Sequence, residues 1–119
     1  MIAVFLSLVL QGTPNTEDRR LSGRWRDSER DVVSDITVGS DGAWLGVITA
    51  SPRSKEVGKG SFQGLRWNDR AKRFEGKLIK PEDDQVVDVE LWLTGPDTME
   101  AEAKVFLFRK RLRFSRVGP

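Results

Sequence analysis

The chain has no cysteine and no histidine among its 119 residues. Without cysteine there is no disulfide, no thiolate nucleophile and no thiolate metal site. Without histidine the commonest general base and the commonest metal ligand are missing. A Ser-His-Asp or Cys-His mechanism is therefore excluded, and an enzyme would be left with carboxylate or lysine chemistry. A large excess of charge of one sign is also missing, with 20 Lys and Arg against 18 Asp and Glu. The net charge is +2, too small to imply nucleic acid by itself. The apolar run Ile2–Leu10 is far shorter than the roughly 20 residues of a membrane-spanning helix. Internal repeats and low-complexity segments are absent as well.

Apolar residues make up 38% of the chain and charged ones 32%, which fits one soluble globular domain with a core of its own. The run Ile2–Leu10, followed by polar, Pro-containing sequence, has the length of the apolar part of a secretory signal. No Lys or Arg precedes it, and the usual Ala-x-Ala cleavage pattern is missing, so a first buried strand is the competing reading. The expectation is a signal peptide and short polar leader over residues 1–20, a mature chain starting near Thr13, and a single β-barrel domain over 21–119. A periplasmic or secreted location follows from it. Lack of cysteine does not argue against export.

From Leu21 onward strands alternate with turns. "DVVSDITV" (Asp31–Val38) is rich in β-branched residues, "GSDG" (Gly39–Gly42) is a hairpin signal, and "AWLGVITA" (Ala43–Ala50) is the returning strand. "SPRSKEVGKG" reads as a polar loop, "SFQGLRW" (Ser61–Trp67) as a strand and "NDRA" as a turn. "KRFEGKLI" (Lys72–Ile79) places Phe74, Gly76 and Leu78 on one face. "VVDVELWL" (Val86–Leu93) places Val87, Val89, Leu91 and Leu93 inward, with Asp88 and Glu90 outward.

Residues 97–113 support two readings. Asp97 with Glu100 three residues on is a capping box, and acids precede bases as in a helix. Against that, Met99, Ala101, Ala103 and Val105 alternate with Glu100, Glu102 and Lys104, as in a strand. The apolar phase then moves to even numbers at Phe106, Phe108, Leu112 and Phe114, which predicts a tight turn or bulge near Val105–Phe108. With two strands here the total is seven or eight, and the fold class is all-β: a small antiparallel up-and-down barrel.

The Gly-x-Trp of Gly23 and Trp25, the chain of hairpins and an Arg on the final strand resemble the lipocalin and calycin architecture. There the Trp closes one barrel end and the Arg packs across its indole. The resemblance implies a barrel-closing pair of Trp25 and Arg116. The chain also resembles an uncharacterised bacterial envelope family, domain of unknown function 2147. The resemblance runs through the leader, Gly23 and Trp25, "FEGKLIKPEDD" (Phe74–Asp84) and "FSRV" (Phe114–Val117). The family's usual final Trp is Phe114 here, and its central Asn-Pro and Arg-rich stretch is missing from "SPRSKEVGKGSFQG". The family brings no established activity.

The remaining candidates are weighed on chemistry. Glu82, Asp83 and Asp84 lack the spaced ligands and the Gly of a calcium loop, so they read as a solvated turn. Asp88 and Glu90 share a face that alternation points to water. No metal or cofactor is expected, and the protein reads as non-enzymatic. Trp44, Trp67 and Trp92 are scattered aromatics, with Trp92 on the polar face of its strand. Phe74, Gly76, Leu78, Val89, Leu91, Met99, Ala101 and Ala103 are the candidate lining of an interior cavity. Small residues among them would leave room for an apolar or amphipathic small molecule in an eight-stranded barrel. The alternative function is an envelope interaction module. It would use the basic last strand, with Arg109, Arg111 and Arg113 facing away from Phe114, and the "VFLF" tip to meet an anionic partner such as a membrane surface. Nucleic acid is the less favoured partner of that strand. The oligomeric state is open.

Overall fold

The computed structural model describes residues 20–118. The leader over residues 1–19 lies outside them. Eight strands follow one another: β1 (Gly23–Asp27), β2 (Val33–Val38), β3 (Trp44–Ala50), β4 (Gly60–Asn68), β5 (Arg73–Ile79), β6 (Val86–Leu93), β7 (Thr98–Val105) and β8 (Phe108–Arg116). Each pairs antiparallel with the next, and β1 pairs with β8, so the sheet closes. This is an all-β, eight-stranded up-and-down barrel, consistent with a lipocalin-like one. Closure gives every strand a partner on both sides, which is how a meander of short strands protects most of its backbone donors and acceptors.

Of the two readings of residues 97–113, the strands hold. β7 and β8 form a hairpin from Thr98↔Ser115 to Val105↔Phe108. The alternation of Met99, Ala101 and Ala103 with acids outweighs the capping box because the inward face of β7 is fully used. All three residues are buried in the core. The phase change at Phe106 is the two-residue turn between the strands.

The core runs along the barrel axis. Trp25, Leu65, Phe74, Leu91 and Ala101 are 0% exposed, so neither bulk water nor an internal void of water size reaches them. Phe62 and Phe114 meet with ring centroids 5.8 Å apart, and Trp67 packs edge-on to Phe74 at 5.0 Å. Trp44 is buried in the same cluster.

The polar loop after β3 holds more than polarity alone predicts. A short 3-10 turn at Ser54–Glu56 buries Glu56 to 1% exposure. Its carboxylate accepts from Arg53 Nε at 2.7 Å and from Ser51 Oγ at 2.7 Å. The bond from Arg53, then that from Ser51, holds the Glu56 carboxyl below its ordinary value against the opposing effect of burial. A carboxyl lowered in the folded state stabilises the fold above its unfolded-state pKa, and that stability is lost as pH falls through the folded-state value. Stability of the parent protein should therefore drop on acidification below the ordinary carboxylate range. Glu56→Gln should flatten that drop, as read from urea-unfolding midpoints at a series of pH values. An unchanged slope would remove Glu56 from the acid response.

Candidate functional site

Three places on the barrel bear on function: one closed end, the interior, and the β7–β8 hairpin. At the closed end, Trp25 and Arg116 are register partners across the β1–β8 seam. The guanidinium carbon of Arg116 lies 4.3 Å from the indole centroid. Trp25 Nε1 donates to the Leu21 carbonyl at 2.9 Å. Arg116 donates to the carbonyls of Ser22 at 2.7 Å and Arg20 at 2.6 Å, and sits 3.3 Å from Asp97 Oδ1. One cation thus ties the segment before β1 to the β6–β7 turn while covering the indole. Gly23 belongs to the same unit. Its φ is +128°, and a Cβ there would stand 2.8 Å from Arg116 Nη1. The Gly-x-Trp spacing lets the Arg lie flat across the opening.

In the interior, Phe74, Leu78, Val89, Leu91, Met99, Ala101 and Ala103 do point inward, but they pack against one another in one cluster. The room expected beside Gly76 is occupied. Between Gln63↔Lys77 and Arg66↔Glu75 the β4 strand carries one extra residue, a bulge with Gly64 at φ +64°. A Cβ on Gly76 would lie 2.8 Å from the Gly64 carbonyl oxygen and 2.9 Å from that of Gln63. Gly76 is small because backbone passes over it. Toward the Asp27 end, an inner space bordered by Ser61, Phe62 and Phe114 measures about 20 Å³, the size of one water. Ligand sites are usually about 300–1,000 Å³.

On the outer face, the basic strand is largely matched. Arg109 pairs with Glu102 at 3.2 Å, and Arg111 with Glu100 at 2.9 Å and Glu102 at 3.4 Å. Arg113 lies 3.8 Å from Glu100. Burial raises the Glu102 carboxyl, and hydrogen bonds from Arg111 and Arg109 more than reverse that, leaving it lowered. Two guanidiniums lie over the Trp92 ring, Arg73 at 4.2 Å and Arg111 at 5.0 Å from its centroid, so the indole is a stacking partner of the outer ladder. Glu82, Asp83 and Asp84 each meet a cation, in Arg30, Lys80 and Lys59. Among the described residues no group of three or more acids is arranged to hold a metal. A concavity of about 410 Å³ lies over β5–β8, with walls of both signs from Glu75, Asp88, Glu90, Lys77 and Lys104.

The hairpin itself departs from the sequence expectation. β6 pairs with β7 only as far as Val89↔Ala103, and β1 pairs with β8 only as far as Asp27↔Phe114. β7 and β8 continue together to Val105↔Phe108, so their tip pairs with neither neighbour, while β6 runs on to Val86 beside β5. Phe106 and Phe108, whose phase places them with Leu112 and Phe114, are instead 92% and 73% exposed, with Leu107 at 89%. Side-chain parity is right for Phe108, but the hairpin has parted from both neighbouring strands there, and the ring stands in solvent.

The molecule is thus a closed, filled eight-stranded barrel with one capped end and one hairpin whose apolar tip is exposed. No family model, no curated protein and no solved structure matches the chain.

Proposed function

We propose that this chain is an exported, non-enzymatic β-barrel that works through its surface, docking the β7–β8 hairpin on an anionic surface. The observation that carries this reading is the exposed tip of that hairpin, where β7 and β8 pair with each other and with neither neighbouring strand. Between Glu102 and Arg111 it holds four cations and one carboxylate. Lys104 makes no ion pair within 4 Å among the described residues, and the pairs made by Arg109 and Lys110 are solvent-exposed. Exposed pairs contribute little and exchange readily for another anion. The filled interior is the weaker candidate, because it offers a ligand no space of its own size.

Non-enzymatic character belongs to the same reading, and it is supported by the lack of cysteine and histidine, which removes the commonest nucleophile and base pairs. Export and kinship with the envelope family belong to the same proposal. They rest on the run Ile2–Leu10 and on the Gly23, Trp25 and "FSRV" positions.

Flotation with vesicles tests the docking. The protein should bind vesicles rich in phosphatidylglycerol and leave those of phosphatidylcholine. Binding should weaken as salt rises, because the screening length contracts from about 10 Å at 0.1 M to about 3 Å at 1 M. Lys104→Gln, Arg109→Gln and Lys110→Gln together should lower binding at least tenfold. Equal recovery on both vesicle types, or none on either at low salt, would overturn the reading.

A further inference from the structure

We infer that Phe106, Leu107 and Phe108 form a wedge that enters the hydrocarbon of an anionic bilayer, an assignment that rests on the docking proposed above and names its partner. The first observation is exposure. Three consecutive large apolar side chains are 92%, 89% and 73% exposed at the tip of the β7–β8 hairpin. The other exposed apolar residues, such as Val38, Leu45 and Val86, are less exposed, at 52%, 38% and 49%, and lie on three different strands. Isolated exposed apolar residues of that kind are ordinary, whereas a contiguous group is not.

The second observation is independent of the first. Phe106 has φ +62°. A two-residue hairpin turn with positive φ at its first central position is the place for glycine. A bulky aromatic there is unfavourable, and such strain concentrates where function demands a particular side chain. Folding is served better by Gly at 106 and a polar residue at 107. The chain carries Phe-Leu instead, in a turn that no core contact requires.

The third observation sets the occupant. Lys104, Arg109 and Lys110 ring the base of the tip, one or two residues back along each strand. Aromatic and aliphatic residues at the point, with cations one step behind, match the layering of a bilayer with anionic headgroups. A protein partner fits poorly, since stable protein interfaces use roughly 20–30 residues a side. Three side chains on a narrow tip supply far less. In the bilayer, apolar insertion adds to the electrostatic attraction, so binding has one salt-resistant part and one salt-sensitive part.

The test uses the full chain with two variants beside the lysine and arginine variant above. Phe106→Gly with Leu107→Asn removes the two most exposed of the three wedge side chains and relieves the turn. Its thermal midpoint should be equal to or higher than that of the parent, which separates loss of binding from loss of fold. Its binding to phosphatidylglycerol vesicles should fall at least tenfold, and what remains should vanish in 0.5 M salt. Leu107→Trp keeps the apolar character, and its added fluorescence should be quenched by lipids brominated along the acyl chain. Parent-like vesicle binding by the Gly-Asn variant, or no quenching of the new Trp, would overturn the wedge while leaving electrostatic docking in place. Binding of the parent to anionic beads but not to vesicles would overturn the wedge as well. Loss of all anionic binding by the parent would overturn the docking reading and the wedge with it.

Discussion

Trp25→Ala should destabilise the barrel by about 3–5 kcal/mol, the cost of deleting a fully buried large aromatic whose site collapses poorly. The site collapses poorly because its walls are fixed from several directions. Arg116 covers the indole at 4.3 Å and is held by the carbonyls of Ser22 and Arg20. Truncation also strands the Leu21 carbonyl that accepts from the indole N–H. A small domain has only about 5–15 kcal/mol of total stability, so the loss is a large part of it. Arg116→Ala should cost less, because the cation–π contact is worth about 1–2 kcal/mol once desolvated and the carbonyls it serves can turn to water. Arg70→Ala, on an exposed turn, should stay within about 0.5 kcal/mol. Urea-unfolding midpoints for the three variants check the order. Small and equal shifts at Trp25 and Arg70 would mean that the capped end does not hold the barrel closed.

Gly76→Ala should also destabilise, and here the sign is the informative part. Placing alanine for glycine inside a strand ordinarily gains about 0.5–1 kcal/mol, because glycine loses more freedom on folding. At position 76 the new methyl would stand 2.8 Å and 2.9 Å from two backbone carbonyl oxygens of the β4 bulge. Backbone in a paired strand cannot swing aside as a flexible side chain can. Overpacking of this kind costs about 1–3 kcal/mol, which reverses the propensity gain. Gly118→Ala, with nothing within 4 Å of the added carbon, is the matched control. A stabilising Gly76→Ala would show that open space lies beside residue 76 after all, and would reopen the interior as a ligand site.

The sequence by itself determined the fold class, the order of the elements and the inward face of most strands. Period-two alternation is a local property, and it survives into the structure at Phe74 and Leu78, at Val87, Val89 and Leu91, and at Met99, Ala101 and Ala103. Turn chemistry is equally local, so Gly39–Gly42 could be assigned as a hairpin turn from its residues. Only the tertiary structure decided what those faces enclose. Small residues at 76, 101 and 103 are compatible with an empty barrel or with one filled from across the axis. The choice was made by a one-residue bulge in β4, far from Gly76 in the chain, and by large side chains such as Trp25 and Phe62 arriving from other strands. The buried Glu56 escaped notice for the same reason, since its polar loop folds back on itself around Arg53 and Ser51. The tip was misplaced by parity, which states the side of a strand a residue occupies but not whether a facing wall exists there. Where β7 and β8 part from their neighbours depends on the pairing of four strands at once. For that reason the exposure of Phe106, Leu107 and Phe108, and with it the proposed site of action, could be read only from the closed sheet.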